Sequence, residues 1–399
     1  MAKRGLYRVS ILLATLLWVG SLPSVVPAVE AGTLTVCLSG CEYTTIADAL
    51  AASRDGDAID IGEGSYAGGF AIDKRITLRG AGRDKTTIEG TSAASVIRVD
   101  KRANVTIEAV TIAGGGGSAT GLGARGGGGI LNEGGLTLRD SIVRGNAALG
   151  GFGGGIFSES SKLLTISNSE VSGNEAADGG GIFLRGSDVT IEDTVIAGNR
   201  GTRNGGGISH QGSETLRLER SEIRDNRADL DGGGVLTSSE IVLVDSTVSG
   251  NRASNIGGIG GGRERMRLVG STVSGNISLG SGGGIRVGSG GVSLVESSVE
   301  ANQSTRANGG GIFANNLSGD ISLKDSTVSG NIAAQDGGGI LTDSSEVDLD
   351  NSKVTDNRAG RLGGGIYARV GKKGLIKVRN GSVITGNLPD QCYPPGLRC

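Results

Sequence analysis

Proline is scarce in this chain, at 5 of 399 residues, and aromatic side chains make up only 3%. Gly plus Pro therefore stays below the roughly 25–30% that marks aperiodic disordered sequence. Glycine at every third position is absent, which excludes a collagen helix. Charge of one sign is lacking too: 39 Lys+Arg stand against 41 Asp+Glu, interspersed, for a net charge of −2. Without a basic tract or stripe, nucleic acid is not an expected partner. The N-terminal apolar run, residues 11–19, is too short to span a bilayer. It follows Lys3, Arg4 and Arg8 and precedes small residues, the pattern of a secretory signal cleaved after Ala28 or Ala31. Residues 1–31 are thus expected to be a signal peptide. The mature chain is then secreted or held at the cell surface, with no membrane span and no tryptophan, since Trp18 leaves with the signal.

Glycine is what the chain has in excess, with 76 residues against the roughly 7% of an average protein. It recurs in phase. Gly-Gly-Gly-Ile/Val begins at Gly127, Gly153, Gly179, Gly205, Gly232, Gly282, Gly309, Gly337 and Gly363, with a degenerate copy near Gly257. A second marker, Ser-x-Val/Ile-x-x-Asn, keeps the same step of about 26 residues. Its asparagines are Asn146, Asn174, Asn199, Asn226, Asn251, Asn276, Asn302, Asn331, Asn357 and Asn387. Between the markers, aliphatic and polar residues alternate over three to five positions, as in "LTLRD" and "LRLER". Three short strands per repeat describe one coil of a parallel β-helix; a propeller blade needs about 40–45 residues. The expected architecture is all-β: a single solenoid of about 13 coils.

The columns formed by stacking have separate expected roles. The asparagines form a structural ladder at a bend. Asp140, Asp193, Asp245 and Asp325 read as turn formers, with calcium along that column as the functional alternative. The residue after each Gly-Gly-Gly-Ile is mostly apolar and includes Leu131, Phe157, Phe183, Phe313 and Tyr367. Strand alternation sends it outward, so it is either a contact face or core beneath a loop.

Residues 32–82 read as an N-terminal cap with the first coil, 83–387 as the repeats and 388–399 as a tail. Thr45 and Asp48 resemble a capping pair before a short helix containing Ile46, Ala49 and Leu50. The cysteines lie near the two ends of the rod, so intramolecular pairing is limited to Cys37 with Cys41 and Cys392 with Cys399.

Two segments carry a resemblance. "YTTIADALAASRDGDAIDIGEGSY" (43–66) is similar to the entry segment of right-handed parallel β-helix proteins of the pectin-lyase-like superfamily. The GGGI and V-x-G-N repeats, as in Gly179–Ile182 and Val171–Asn174, resemble the GGA[ILV] and F-x-x-N repeats of bacterial polymorphic outer membrane proteins. The superfamily implies a right-handed solenoid and, in many members, polysaccharide chemistry. Motifs of polygalacturonase-like, uronate-epimerase-like and pectin-methylesterase-like enzymes are missing. The single histidine, His210, has no recognisable catalytic set near it and reads as solvent-facing. A calcium-assisted lyase would be sought among Glu219, Arg220, Glu222, Arg224, Asp225, Arg227 and Asp229, which otherwise read as a solvated charged surface. The expectation is an exported, non-catalytic rod without a cofactor that contacts an extracellular glycan or surface protein. A polysaccharide lyase or hydrolase is the alternative.

Overall fold

The computed structural model describes residues 31–395, apart from 120–122, 124, 161, 187, 315–318, 344–345 and 370–375. The expected signal peptide, apart from Ala31, and Cys399 lie outside the described residues.

One repeat shows how sequence becomes coil. Ile182–Arg185, Val189–Glu192, Val195–Ala197 and Arg200–Asn204 are four short strands separated by tight bends. Each pairs in parallel with its counterpart about 26 residues later, so Ile182 meets Ile208, Ile191 meets Leu218 and Ile196 meets Ile223. Repeating this builds four sheets. We number them by position in the coil: sheet I contains Val189–Glu192, sheet II Val195–Ala197, sheet III Arg200–Asn204 and sheet IV Ile182–Arg185. Among the described residues they have 14, 13, 11 and 13 strands respectively. The result is a parallel solenoid of about 13 coils. Four strands per coil replace the expected three. The extra strand is the short one after each asparagine, often two residues such as Arg227–Ala228, too short to show alternation.

Alternation places one aliphatic column from each strand inside. Val171, Ile191, Ile208 and Leu218 are fully buried members of one continuous core. Each such side chain stabilises the fold by about 1.5–3 kcal/mol relative to exposure. At the N-terminal end, helix Ile46–Ala52 buries Ile46, Ala49 and Leu50 in that core. The Thr45 hydroxyl accepts from the Asp48 N–H at 3.1 Å and donates to the Asp48 carboxylate at 2.6 Å.

The glycines serve both backbone shape and close approach. Gly179 bends the chain at φ +64, a region costly for other residues. Two positions on, a Cβ at Gly181 would sit 2.7 Å from the carbonyl oxygen of Gly207 on the next coil. The bend between sheets I and II is made by left-handed residues that include Asp140, Asp193, Asp245 and Asp325, at φ +48 to +51.

Candidate functional site

The asparagine column is committed to the frame. Each Nδ2 from Asn146 to Asn357 donates to the Oδ1 of the asparagine on the next coil at 2.9–3.1 Å. It also donates backward, as from Asn251 to the Ile223 carbonyl at 2.9 Å. The ladder ends where Asn387 donates to Gln391 Oε1 at 2.8 Å. The residue in the left-handed conformation is the one before the asparagine, such as Gly173 or Asp225. A parallel ladder of hydroxyls runs beside it, with Ser169 Oγ accepting from the Ser141 N–H at 3.2 Å.

The outward apolar column is not an exposed contact face. Leu131, Phe157, Phe183 and Phe313 are buried, and Tyr367 is half-buried against Tyr393 with ring centroids 5.4 Å apart. The alternation is as expected. The chain returning from sheet III covers the column, however: Phe152 packs on Phe183 at 4.7 Å, and Phe183 stacks on Phe157 at 5.4 Å. Leu131, Phe157 and Phe183 form a second, smaller core outside sheet IV.

His210 is a second correction: it is 1% exposed, not solvent-facing. It lies two residues after the inward Ile208 on the same strand, so alternation turns it inward too. Its Nδ1 lies 3.2 Å from Thr237 Oγ1. That hydroxyl donates to the Ser239 carbonyl at 3.2 Å, which leaves it to accept from Nδ1–H and assigns the proton to Nδ1. Nε2 is buried without a hydrogen-bond partner. Burial holds the imidazole below its ordinary pKa; the nearby Glu214 carboxylate opposes this weakly.

The charged segment 219–229 is not gathered into one site. Glu219 ends a sheet I strand, Glu222 and Arg224 flank a sheet II strand, and Arg227 starts one in sheet III. Their charges are taken up in ion pairs, including Arg224 with Glu222 and Asp225, and Arg220 with Glu192 and Asp193. Among the described residues no group of three or more His, Cys, Asp or Glu is placed to hold a metal.

Sheet III carries a candidate site of which sequence inspection named Arg227 and Asp229 but missed the column they belong to. Arg200, Arg227 and Arg252 start successive strands in register. Arg200 pairs with Glu175 at 2.9 Å and Asp229 at 3.2 Å, and Arg227 with Asp229 at 3.5 Å. Arg252 makes no ion pair among the described residues. It lines an open cleft of about 230 Å³ with Arg227, Asp229, Ser254, Ile277 and Leu279. Leu279 is exposed there. The sequence signal was the residue after each asparagine, where Arg recurs in three consecutive repeats.

Disulfide Cys37–Cys41 is formed, with its α-carbons 5.4 Å apart. Cys392 is also disulfide-bonded. No helix among the described residues is long and apolar enough to cross a membrane.

A family model described as "right handed beta helix region" matches residues 76–259. The chain folds as a right-handed parallel β-helix. Solved structures agree with this fold. The A-module of the mannuronan C-5 epimerase AlgE4 of Azotobacter vinelandii is 16% identical over 85% of this chain and 94% of that one, with a TM-score of 0.58. The AlgE6 A-module of the same organism is 16% identical over 88% and 93%, at 0.54. The catalytic unit of a GH87 α-1,3-glucanase from Streptomyces thermodiastaticus is 17% identical over 84% of this β-helix and 64% of its own length, at 0.53. No match to the sequence is found among curated proteins.

Proposed function

We propose that this β-helix engages an acidic polysaccharide laid along sheet III. The observation that carries the reading is the in-register column Arg200, Arg227 and Arg252 beside an open cleft. Coils stack at about 4.8 Å, so an extended chain lying along the rod meets one guanidinium per coil. Guanidinium groups hold carboxylates in paired hydrogen bonds, and Ile277 and Leu279 offer an apolar ledge for ring faces. The names of the similar structures, mannuronan epimerases and a glucanase, support a glycan polymer as the partner class. The Cys37–Cys41 disulfide supports action outside the cytoplasm.

Two versions of this reading differ in turnover. The neighbours' names favour an enzyme, a polysaccharide epimerase or hydrolase. The cleft itself favours binding without turnover, as in adhesion: the carboxylate lining it, Asp229, is engaged in ion pairs with two arginines. Affinity electrophoresis through gels containing polymannuronate or polygalacturonate tests the common part. Retardation that weakens with added salt is expected; absent or salt-insensitive retardation overturns it. Following unsaturated ends, reducing ends and C-5 configuration in the same polymers, with and without calcium, separates enzyme from binder.

A further inference from the structure

Exposed aliphatic side chains gather on one face of the coil stack. Among the described residues nine large aliphatic side chains are exposed. Five of them, Leu149, Leu230, Leu279, Ile332 and Leu388, lie in sheet III strands or within two residues of one, or bridge to one. The other four are Leu38 in the N-terminal cap, Leu163 before a sheet I strand, and Val378 and Val383 in the last coil. From Leu149 to Leu388 the line crosses nine coil steps, about 43 Å at a strand spacing of about 4.8 Å. Free cations are threaded through it. In register, Arg252 is followed by Ile277, Gln303, Ile332 and Arg358. Arg252 and Arg358 are exposed, and neither makes an ion pair among the described residues. Glu175 and Asp229 are taken up by Arg200 and Arg227, so the unpaired charge of this column is positive.

Single exposed aliphatics need no explanation, but a line of them marks a contact surface. A glycan on Arg200, Arg227 and Arg252 covers Ile277 and Leu279 at most and leaves Leu149, Ile332 and Leu388 in water. Interior strands of sheet III are paired on both sides, so a peptide has no edge there to extend. We propose that sheet III rests on an anionic lipid surface, with the aliphatic line in the headgroup boundary and the arginines on lipid phosphates. Interfacial binding needs apolar side chains that reach the acyl boundary and cations that meet anionic head groups. A guanidinium takes phosphate in two parallel hydrogen bonds while its stem lies along apolar surface. A planar partner meets every coil of so long a line, which a pocket-sized ligand cannot. This goes beyond the glycan reading: it shares the arginines and adds the aliphatic line, which tells the two apart.

Co-sedimentation with vesicles tests it. One set is phosphatidylcholine alone, the other phosphatidylcholine mixed equally with phosphatidylglycerol. Binding to the mixed vesicles that weakens with salt is expected, with little binding to phosphatidylcholine alone. The triple variant Leu149→Ser, Leu230→Ser, Ile332→Ser changes only exposed side chains, so it should keep the wild-type thermal midpoint. It should bind the mixed vesicles about tenfold more weakly or worse, yet be retarded normally in polygalacturonate gels. No binding to mixed vesicles, equal binding to both sets, or undiminished binding by the variant overturns the proposal. So does a dimer in analytical ultracentrifugation that the variant dissociates, which would assign the line to a second copy. Vesicle binding without gel retardation would remove the glycan reading alone.

Discussion

At the residue scale, position within the coil governs each side chain more than its type does. The ten asparagines were recognisable as a column because their spacing matches that of the glycines. Their double commitment, forward to the next asparagine and back to a core carbonyl, needed the structure. Asn251→Ala should therefore cost about 2–4 kcal/mol in chemical denaturation, because it breaks the ladder and strands buried polar groups on both sides. His210 was misread because the residues around it were searched for catalytic partners. The phase of Ile208 already pointed it inward. Its lowered pKa gives a pH prediction. Below about pH 6.5 the unfolded chain takes up a proton that the buried imidazole refuses, so the unfolded state binds more protons. Stability should fall as pH drops from about 6.5 towards 5, by up to about 1.4 kcal/mol per unit. His210→Leu should flatten that slope in thermal melts across the same range. An equal slope in wild type and variant would remove histidine as the cause.

At the element scale, sheets I and II were legible and sheet III was not. Strands such as Val189–Glu192 alternate over four residues, whereas Arg227–Ala228 has two and is held by its neighbours. The apolar column of sheet IV was placed on the correct side of its strand. What covers it, the return from sheet III with Phe152, involves contacts that no local pattern encodes. The glycines illustrate the same division. Gly173 has φ +61 and open space around its Cα, so Gly173→Ala should cost only the backbone term, about 1–2 kcal/mol. A Cβ at Gly154 would meet the carbonyl oxygens of Glu175 and Gly180 at 2.4 and 2.5 Å. Gly154→Ala should therefore cost several times more, by separating two coils. Urea denaturation of the pair checks the ordering; equal losses would mean that the close approach at Gly154 costs no more than one left-handed backbone angle.

At the scale of the whole molecule, every coil contacts mainly its two neighbours, so stability is nearly a sum over coils. Removing residues 332–357, one coil from Ile332 to Asn357, lets Asn331 face Asn387 as Asn357 does now. The shortened protein should keep its β-sheet circular dichroism and lose only a modest part of its thermal stability. Collapse to an unfolded chain would show that the rod folds as one indivisible unit. The regularity that makes the fold legible also hides the function, because a site here is a departure from the repeat, such as arginine in three consecutive coils. The most direct test of the glycan reading is calorimetric titration of an oligouronate into wild type and the triple variant Arg200→Gln, Arg227→Gln, Arg252→Gln. These side chains are exposed and their ion pairs contribute little to folding, so the variant should fold normally. Binding to wild type that weakens at least tenfold in the variant is the predicted result; equal affinity in both, or none in wild type, would contradict it.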